Sequence, residues 1–142
     1  MFELTQYPIV YDQKISWGDM DAFGHVNNVI FYRYIESARL AYLDQLDILS
    51  EPLLTVVLSN QCHYLKPVVY PDQLKIGVKI EEIRSSAFRM KYTLYSEEQK
   101  SIVANAEAVI VCVDKTSMQK IKIPEYIVDK IKQLEQSVNN VL

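Results

Sequence analysis

One change of hydrophobic period divides the chain and limits the folds that are open to it. From residue 28 to residue 47 the apolar side chains recur every three or four positions, as they do on one face of an α-helix. From residue 54 to residue 113 the pattern becomes that of β-strands joined by short polar turns. A long helix beside such a sheet has to bury its apolar face on it. The pattern therefore predicts an α+β fold and excludes a doubly wound parallel one.

The same periodicity predicts the single elements. We expect strands over residues 9–16, 54–65, 74–81, 88–95 and 102–113, the last apolar enough to be covered on both faces. A long helix over residues 28–47 has Asn27 or Asn28 as its N-cap. A second helix is opened by Pro124. The predicted order is strand, long helix, four strands and terminal helix.

Composition restricts the function classes. The 142 residues, 49% hydrophobic and 23% charged, predict one globular domain over residues 1–142 that needs no metal or disulfide to fold. A net charge of −3 argues against a nucleic-acid-binding domain. No apolar run is long enough for a membrane span, and the first residues do not resemble a signal peptide. Two cysteines make no disulfide framework, so we expect a cytoplasmic protein.

Charge is distributed unevenly along the chain. Residues 1–51 hold three basic and eight acidic side chains, whereas residues 52–142 hold twelve basic and ten acidic ones. The asymmetry is compatible with chance on solvated faces. Chance is the simpler explanation; the functional alternative is a first half that carries reactive carboxylates and a second half that offers cations to a small anionic ligand, and charge alone does not choose between the two.

The loop between the first strand and the long helix carries most of the polar chemistry. Its sequence is Trp17-Gly18-Asp19-Met20-Asp21-Ala22-Phe23-Gly24-His25-Val26-Asn27-Asn28. A helix N-terminus offers unpaired N–H donors and partial positive charge, which stabilise a carbonyl oxygen under attack. A carboxylate on the preceding loop can face the same point. The arrangement suits hydrolysis of an activated acyl group, although the same residues can also simply cap the helix and bind loop N–H groups.

Other sites fit these residues poorly. An EF-hand calcium loop starting at Asp19 would have Phe23 and Ile30 where oxygen ligands are needed. A transition-metal site would lack ligands, because His63 is the only histidine besides His25. Cys62 is adjacent to His63 in a strand, so the two side chains point to opposite faces and form no catalytic pair. We therefore expect no metal.

The loop resembles that of the 4-hydroxybenzoyl-CoA thioesterase family. The resemblance rests on residues 17–28 with Tyr32 and Glu36-x-x-Arg39 on the helix, on residues 64–74 and on residues 121–124. It implies the hotdog fold, in which a curved antiparallel sheet of about five strands wraps a long helix, here with a C-terminal helix added. It also implies a homodimer or homotetramer with the active site at the subunit interface.

The family's catalytic aspartate corresponds to Asp21. By resemblance, Asp21 attacks the thioester carbonyl or activates water, and the helix N-terminus polarises the carbonyl oxygen. The loop residues around this oxyanion position are Gly24, His25, Val26, Asn27 and Asn28. We expect the asparagines to orient the loop or cap the helix, and His25 to hold the loop or to bond near the thioester.

The sequence identifies the residues that contact the substrate less specifically than it identifies Asp21. Phe23, Tyr32 and Phe31 are candidates for the acyl pocket, and the basic candidates for the nucleotide of coenzyme A are Lys66, Arg84, Arg89 and Lys91. We expect Glu36 and Arg39 to form a structural pair.

The predicted function is hydrolysis of acyl-CoA without a metal or redox cofactor. The alternatives are an acyl-carrier-protein thioesterase and a non-catalytic acyl-CoA-binding module. A hotdog dehydratase is disfavoured, because His25 does not sit in that family's pattern.

Overall fold

The computed structural model describes residues 4–50 and 52–142, without the side chain of Ser50. The single-domain prediction over residues 1–142 also includes residues 1–3 and 51, which lie outside the described residues. The strands are β1 (Ile9–Lys14), β2 (Leu53–Tyr64), β3 (Gln73–Ile83), β4 (Ala87–Ser96) and β5 (Ser101–Asp114). The helices are α1 (Asn28–Gln45) and α2 (Glu125–Gln136), with short 3₁₀ turns at Leu4–Gln6, Trp17–Asp19 and Ile48–Ser50.

The five strands form one antiparallel sheet in the order β1-β3-β4-β5-β2. Irregularities in the register occur between Val57 and Ser59, between Ile80 and Glu82, and between Leu94 and Tyr95. Such bulges bend a strand and increase its twist, which lets the sheet curve around α1. The predicted α+β hotdog architecture is confirmed. It leaves β1 and β2 as the two edge strands.

Helix α1 packs against the sheet through the apolar stripe that the sequence predicts. Tyr34, Ile35, Ala38 and Tyr42 are at most 2% exposed. The helix ends at Gln45, two residues earlier than predicted, because Asp47 adopts a left-handed conformation with φ 55°. Similarly, Pro124 is the N-cap of α2 and not its first helical residue. No helix in the described part of the chain is long and apolar enough to cross a membrane.

A buried carboxylate holds the end of α2 on the sheet. Strand β1 covers β3 only as far as Val78, so the backbone of Ile80 lies beyond that pairing. Glu135 is 0% exposed and accepts hydrogen bonds from the Ile80 N–H (3.0 Å) and from the Tyr42 hydroxyl. Asn140 donates through Nδ2 both to the Ile80 carbonyl (2.9 Å) and to Glu135 (2.8 Å). The side chains at the end of α2 therefore bond the backbone of β3 where β1 no longer pairs with it.

The contact between Tyr42 and Glu135 leads us to expect that the protein becomes less stable at alkaline pH. Burial, together with the charge of Glu135, raises the pKa of Tyr42 well above its ordinary 10.0. The Tyr42 hydroxyl therefore loses its proton at a lower pH in the unfolded chain than in the folded chain. The stabilisation is complete below pH 10 and is lost as the pH rises above it. Replacing Tyr42 by Phe should flatten the decline of the free energy of unfolding by up to about 1.4 kcal/mol per pH unit.

Urea unfolding of the wild type and Tyr42→Phe at a series of pH values tests this prediction. Below pH 10 the two free energies should run parallel, with the variant offset downward because Glu135 has lost a donor. Curves that stay parallel above pH 10 would contradict it.

Candidate active site

The loop before α1 folds back on itself through main-chain hydrogen bonds. Met20 and Val26 form an isolated antiparallel bridge, and the Asp21 N–H donates to the His25 carbonyl at 2.9 Å. The Gly24 N–H donates to the Asp21 carbonyl at 3.0 Å. Gly24 has φ +82°, in the region where a residue with a Cβ is strained. The glycine thus closes a tight loop with Asp21 at its start.

Asp19 holds this loop on the fold. Its Oδ2 accepts hydrogen bonds from the Tyr34 hydroxyl (2.6 Å) and from the Ser16 N–H (3.2 Å), and its carbonyl accepts from the Asn27 N–H (3.0 Å). Burial and the bond to Asp19 raise the pKa of Tyr34 far above its ordinary range, so this phenol stays protonated. Val26 is 5% exposed and donates to the Val68 carbonyl at 2.8 Å. Asp19 therefore has a structural role.

The N-terminus of α1 is capped by Asn27. Its Oδ1 accepts from the Val29 N–H at 3.1 Å, and its carbonyl accepts from the Ile30 N–H at 2.9 Å. This confirms the first of the two predicted N-caps. The N–H of Asn28, the first residue of α1, donates to no acceptor in the described part of the chain. The helix end thus keeps an available donor at its positive pole.

A cavity of about 320 Å³ opens between this helix end and the end of β2. Its lining comes from the loop, the first turns of α1 and the segment after β2, and comprises Asp21, His25, Val26, Asn28, Phe31, Tyr64, Leu65, Lys66 and Pro67. A carboxylate, a histidine, a lysine and the start of a helix therefore share a cavity with apolar walls. Such a combination is typical of a site for a small organic ligand.

Asp21 is exposed, and only one of its carboxylate oxygens is bonded within the described residues. Its Oδ1 accepts the Phe23 N–H at 2.9 Å, which fixes the side chain in the turn. The other oxygen remains available to a ligand. The two aspartates of the motif thus differ: both bonded groups of Asp19 belong to the fold, whereas Asp21 lines the cavity and keeps one carboxylate oxygen unbonded within the described residues.

Tyr64 is a residue of this cavity that the sequence reasoning missed. Its hydroxyl donates to the Asn28 carbonyl at 2.9 Å, and its ring meets Phe31 edge to face with centroids 5.1 Å apart. Burial, with smaller effects of Cys62 and Tyr32, raises the pKa of Tyr64. Tyr64 therefore links edge strand β2 to the first turn of α1. The signal was the segment from Tyr64 to Pro67, which carried the resemblance but from which only Lys66 was assigned to the site.

Only some of the predicted substrate contacts are brought to this cavity. Lys66 lines the cavity and donates to Ser101 Oγ at 3.1 Å, and Tyr32 lies half-buried beside Tyr64. Phe23 is 87% exposed at the tip of the loop. Phe31, also predicted for the acyl pocket, is 3% exposed and lines the cavity.

The remaining basic candidates are not brought to this cavity within one chain. Arg89 and Lys91 lie on β4, where Arg89 forms ion pairs with Glu81 (2.9 Å) and Glu107 (3.6 Å). Lys91, Glu81 and Glu107 line a separate cavity. Arg84 lies in the turn after β3, paired with Glu82 at 2.6 Å, at the opposite end of that strand from the loop.

Other chemistries find little support in the described residues. These contain no group of three or more His, Cys, Asp or Glu side chains placed to hold a metal ion. Cys112 is 0% exposed, and burial raises the pKa of its thiol to about 11, which makes it a poor nucleophile.

A family model and several known proteins match the chain. The model of the Thioesterase-like superfamily matches residues 15–131. An uncharacterized protein, YsmA of Bacillus subtilis, is 34% identical over 62% of this chain and 61% of its own length. The acyl-CoA thioester hydrolase YbgC of Escherichia coli is 26% identical over 92% of this chain and 97% of its own.

A solved structure extends the likeness to three dimensions. A thioesterase from Thermus thermophilus, complexed with coenzyme A and Zn, is 28% identical, with a TM-score of 0.84 over 92% of this chain and 97% of that one. The family model covers most of the chain, including the loop with Asp21 and both helices. The chain therefore belongs to the Thioesterase-like superfamily, a family of hotdog-fold thioester hydrolases.

Proposed function

We propose that this protein hydrolyses acyl-CoA to a free acid and coenzyme A, with Asp21 as nucleophile or general base. The observation that carries the proposal is that Asp21, with one unbonded carboxylate oxygen, lines the same cavity as the N-terminus of α1. The two groups have complementary charge. The carboxylate supplies electrons to the thioester carbon, and the helix end stabilises the oxygen that becomes negative.

The reaction needs three events. Asp21 attacks the carbonyl carbon directly, or it takes a proton from a water molecule that attacks. The carbonyl oxygen gains charge beside the Asn28 N–H and the helix dipole. The C–S bond then breaks and coenzyme A leaves as a thiolate, which takes up a proton. Direct attack would give an acyl-aspartyl anhydride that water hydrolyses. No step requires a metal or redox cofactor.

The carrier is proposed to be coenzyme A. YbgC is an acyl-CoA thioester hydrolase and the Thermus thermophilus thioesterase is complexed with coenzyme A, which favours a nucleotide carrier for this chain. Lys66 at the cavity supplies a cation for a phosphate group. The proposed relationship to 4-hydroxybenzoyl-CoA thioesterases rests on the loop motif. Two free thiols, Cys62 and Cys112, suit the reducing cytoplasm, where we place the reaction.

The proposed active unit is a homodimer joined along β2, which two such dimers could extend to a tetramer. Strand β2 is a sheet edge and contains no Asp, Glu, Lys or Arg to prevent pairing with another strand. Leu58 is 66% exposed, and Leu54, Val57 and Tyr64 are also exposed. Pairing two copies here would bury these side chains and continue the sheet. It would also place the partner subunit against the cavity, which is lined by Tyr64 and Leu65 at the end of that strand.

Hydrolysis of matched thioesters tests the proposal. We expect the protein to release thiol from some members of a panel of short, long and aromatic acyl-CoAs. For the best acyl group, kcat/KM should be at least about tenfold higher with coenzyme A than with acyl carrier protein, because the nucleotide offers phosphates to Lys66. A preference for the protein carrier would favour the acyl-carrier-protein alternative. Binding of acyl-CoA without turnover by folded protein would favour the binding module.

A further inference from the structure

A second cavity of about 320 Å³ lies between α1 and β2, farther from the N-terminus of α1 than the cavity with Asp21. It is lined by Glu36, Arg39, Leu40, Leu43, Thr55, Val56, Val57 and Ile110. Most of these side chains are apolar, yet the cavity contains a guanidinium group. Nothing in the hydrolysis derived above uses that charge.

Arg39 is largely buried in the wall of this cavity. In the described part of the chain no side-chain nitrogen that is shut off from solvent lacks a hydrogen-bond partner, so the unbonded N–H groups of Arg39 remain accessible to a ligand. The residue is 7% exposed, and its Nη1 donates to the Tyr92 hydroxyl over a long 3.3 Å. The predicted partner Glu36 approaches Nη2 only to 4.0 Å, and its side chain is 64% exposed. A guanidinium carries five N–H donors. Burying its charge costs several kcal/mol unless an anion and further hydrogen bonds compensate for it.

Tyr92 does not supply the missing negative charge. Its hydroxyl is buried and contacts Met90 Sδ at 3.6 Å. Burial raises the pKa of Tyr92, so the phenol remains neutral at physiological pH. The contacts of Arg39 are thus the neutral Tyr92 hydroxyl and the exposed Glu36 carboxylate at the limit of pairing distance. Arg39 can therefore accept a stronger anionic partner.

Helix geometry relates this cavity to the one with Asp21. Asn28 lines the first cavity and Arg39 the second, and both cavities are bounded by α1 and β2. Eleven residues correspond to about three helical turns, so the two side chains project from the same face, about 16 Å apart along the axis. An extended chain with its thioester at the helix N-terminus can therefore run along this face towards Arg39.

From these observations we infer that an acyl chain lies along this face of α1 from the first cavity to the second, and that the second cavity selects chains that end in a carboxylate. This inference rests on the proposed function and specifies its substrate class as ω-carboxyacyl-CoA. The apolar walls contact the methylene groups, and the Arg39 guanidinium binds the terminal carboxylate.

Matched substrate pairs test the inference. Hexanoyl-, decanoyl- and palmitoyl-CoA are compared with adipoyl-, sebacoyl- and hexadecanedioyl-CoA, using wild type, Arg39→Met and the control Arg33→Met. Arg33 is exposed on the same helix and lines neither cavity. For at least one chain length we expect wild type to prefer the dicarboxylic member at least about tenfold in kcat/KM. Arg39→Met should lower that ratio about 10- to 100-fold, and Arg33→Met should leave it unchanged.

A binding measurement separates this inference from the proposed function. The dicarboxylic acid of the preferred length should raise the melting temperature of wild type more than the matching monocarboxylic acid does, and Arg39→Lys should reduce the difference. Absence of hydrolysis with every thioester would contradict the proposed function alone. Hydrolysis that favours the alkyl member at all lengths would overturn the inference, as would equal melting shifts for the two acids. Should Arg39→Met not fold, the wild-type ratios and Arg39→Lys decide.

Discussion

Replacing Asp21 by Asn should lower kcat for acyl-CoA hydrolysis by about a thousandfold while the protein stays folded. The amide has the shape of the carboxylate but neither attacks a carbonyl carbon nor takes a proton from water. Its oxygen can still accept the Phe23 N–H, which binds the carboxylate at 2.9 Å, so the turn should keep its form. Thiol release with the best acyl-CoA measures the rate, and thermal unfolding measures the fold.

Asp19→Asn is the matched control, because it removes the other carboxylate of the same loop. Asp19 accepts from the Tyr34 hydroxyl and the Ser16 N–H with the same oxygen, and the Asn oxygen can keep both bonds without the charge, so stability should fall by about 1 kcal/mol. Once saturated with substrate below its melting temperature, this variant should retain far more activity than Asp21→Asn. A drop of less than tenfold for Asp21→Asn would move the catalytic role to another residue.

The fold was predictable because its main signals are local. The three-to-four spacing that ends near Leu46 and the alternation that begins after Pro52 specify element types without reference to distant residues. The site was predictable in part for the same reason. Asp21, the loop glycine and the N-cap Asn27 lie within seven residues, so one short segment contains the carboxylate and the helix end.

What the sequence did not predict depends on contacts between distant segments. Glu135 looks like a solvated residue of an amphipathic helix, and its burial results from a gap beside β3 that only the sheet order reveals. Tyr64 reaches the helix end across 36 positions, and Arg39 reaches Tyr92 across 53. Alternation along a strand indicates which face a side chain occupies, but not what lies opposite it.

Leu58→Lys on edge strand β2 should dissociate the proposed dimer and reduce acyl-CoA hydrolysis by at least about a hundredfold. Leu58 is 66% exposed on β2. Two copies paired along this strand would bring the lysines close together in an apolar interface, at a cost of several kcal/mol. Sedimentation at micromolar concentration measures the assembly, and acyl-CoA hydrolysis of the same sample measures the site.

Val10→Lys is the control, because Val10 is exposed on β1, the other edge of the sheet. It adds the same charge to an edge strand that contributes no residue to the lining of the cavity, so mass and activity should match those of the wild type. If Leu58→Lys became a folded monomer with full activity, the cavity of one chain would suffice for hydrolysis, and the dimer would not be the active unit. If instead it stayed a dimer, pairing would occur through a surface other than β2. Loss of assembly and activity together, with Val10→Lys intact, would mean that the cavity at the end of β2 requires the partner subunit for catalysis.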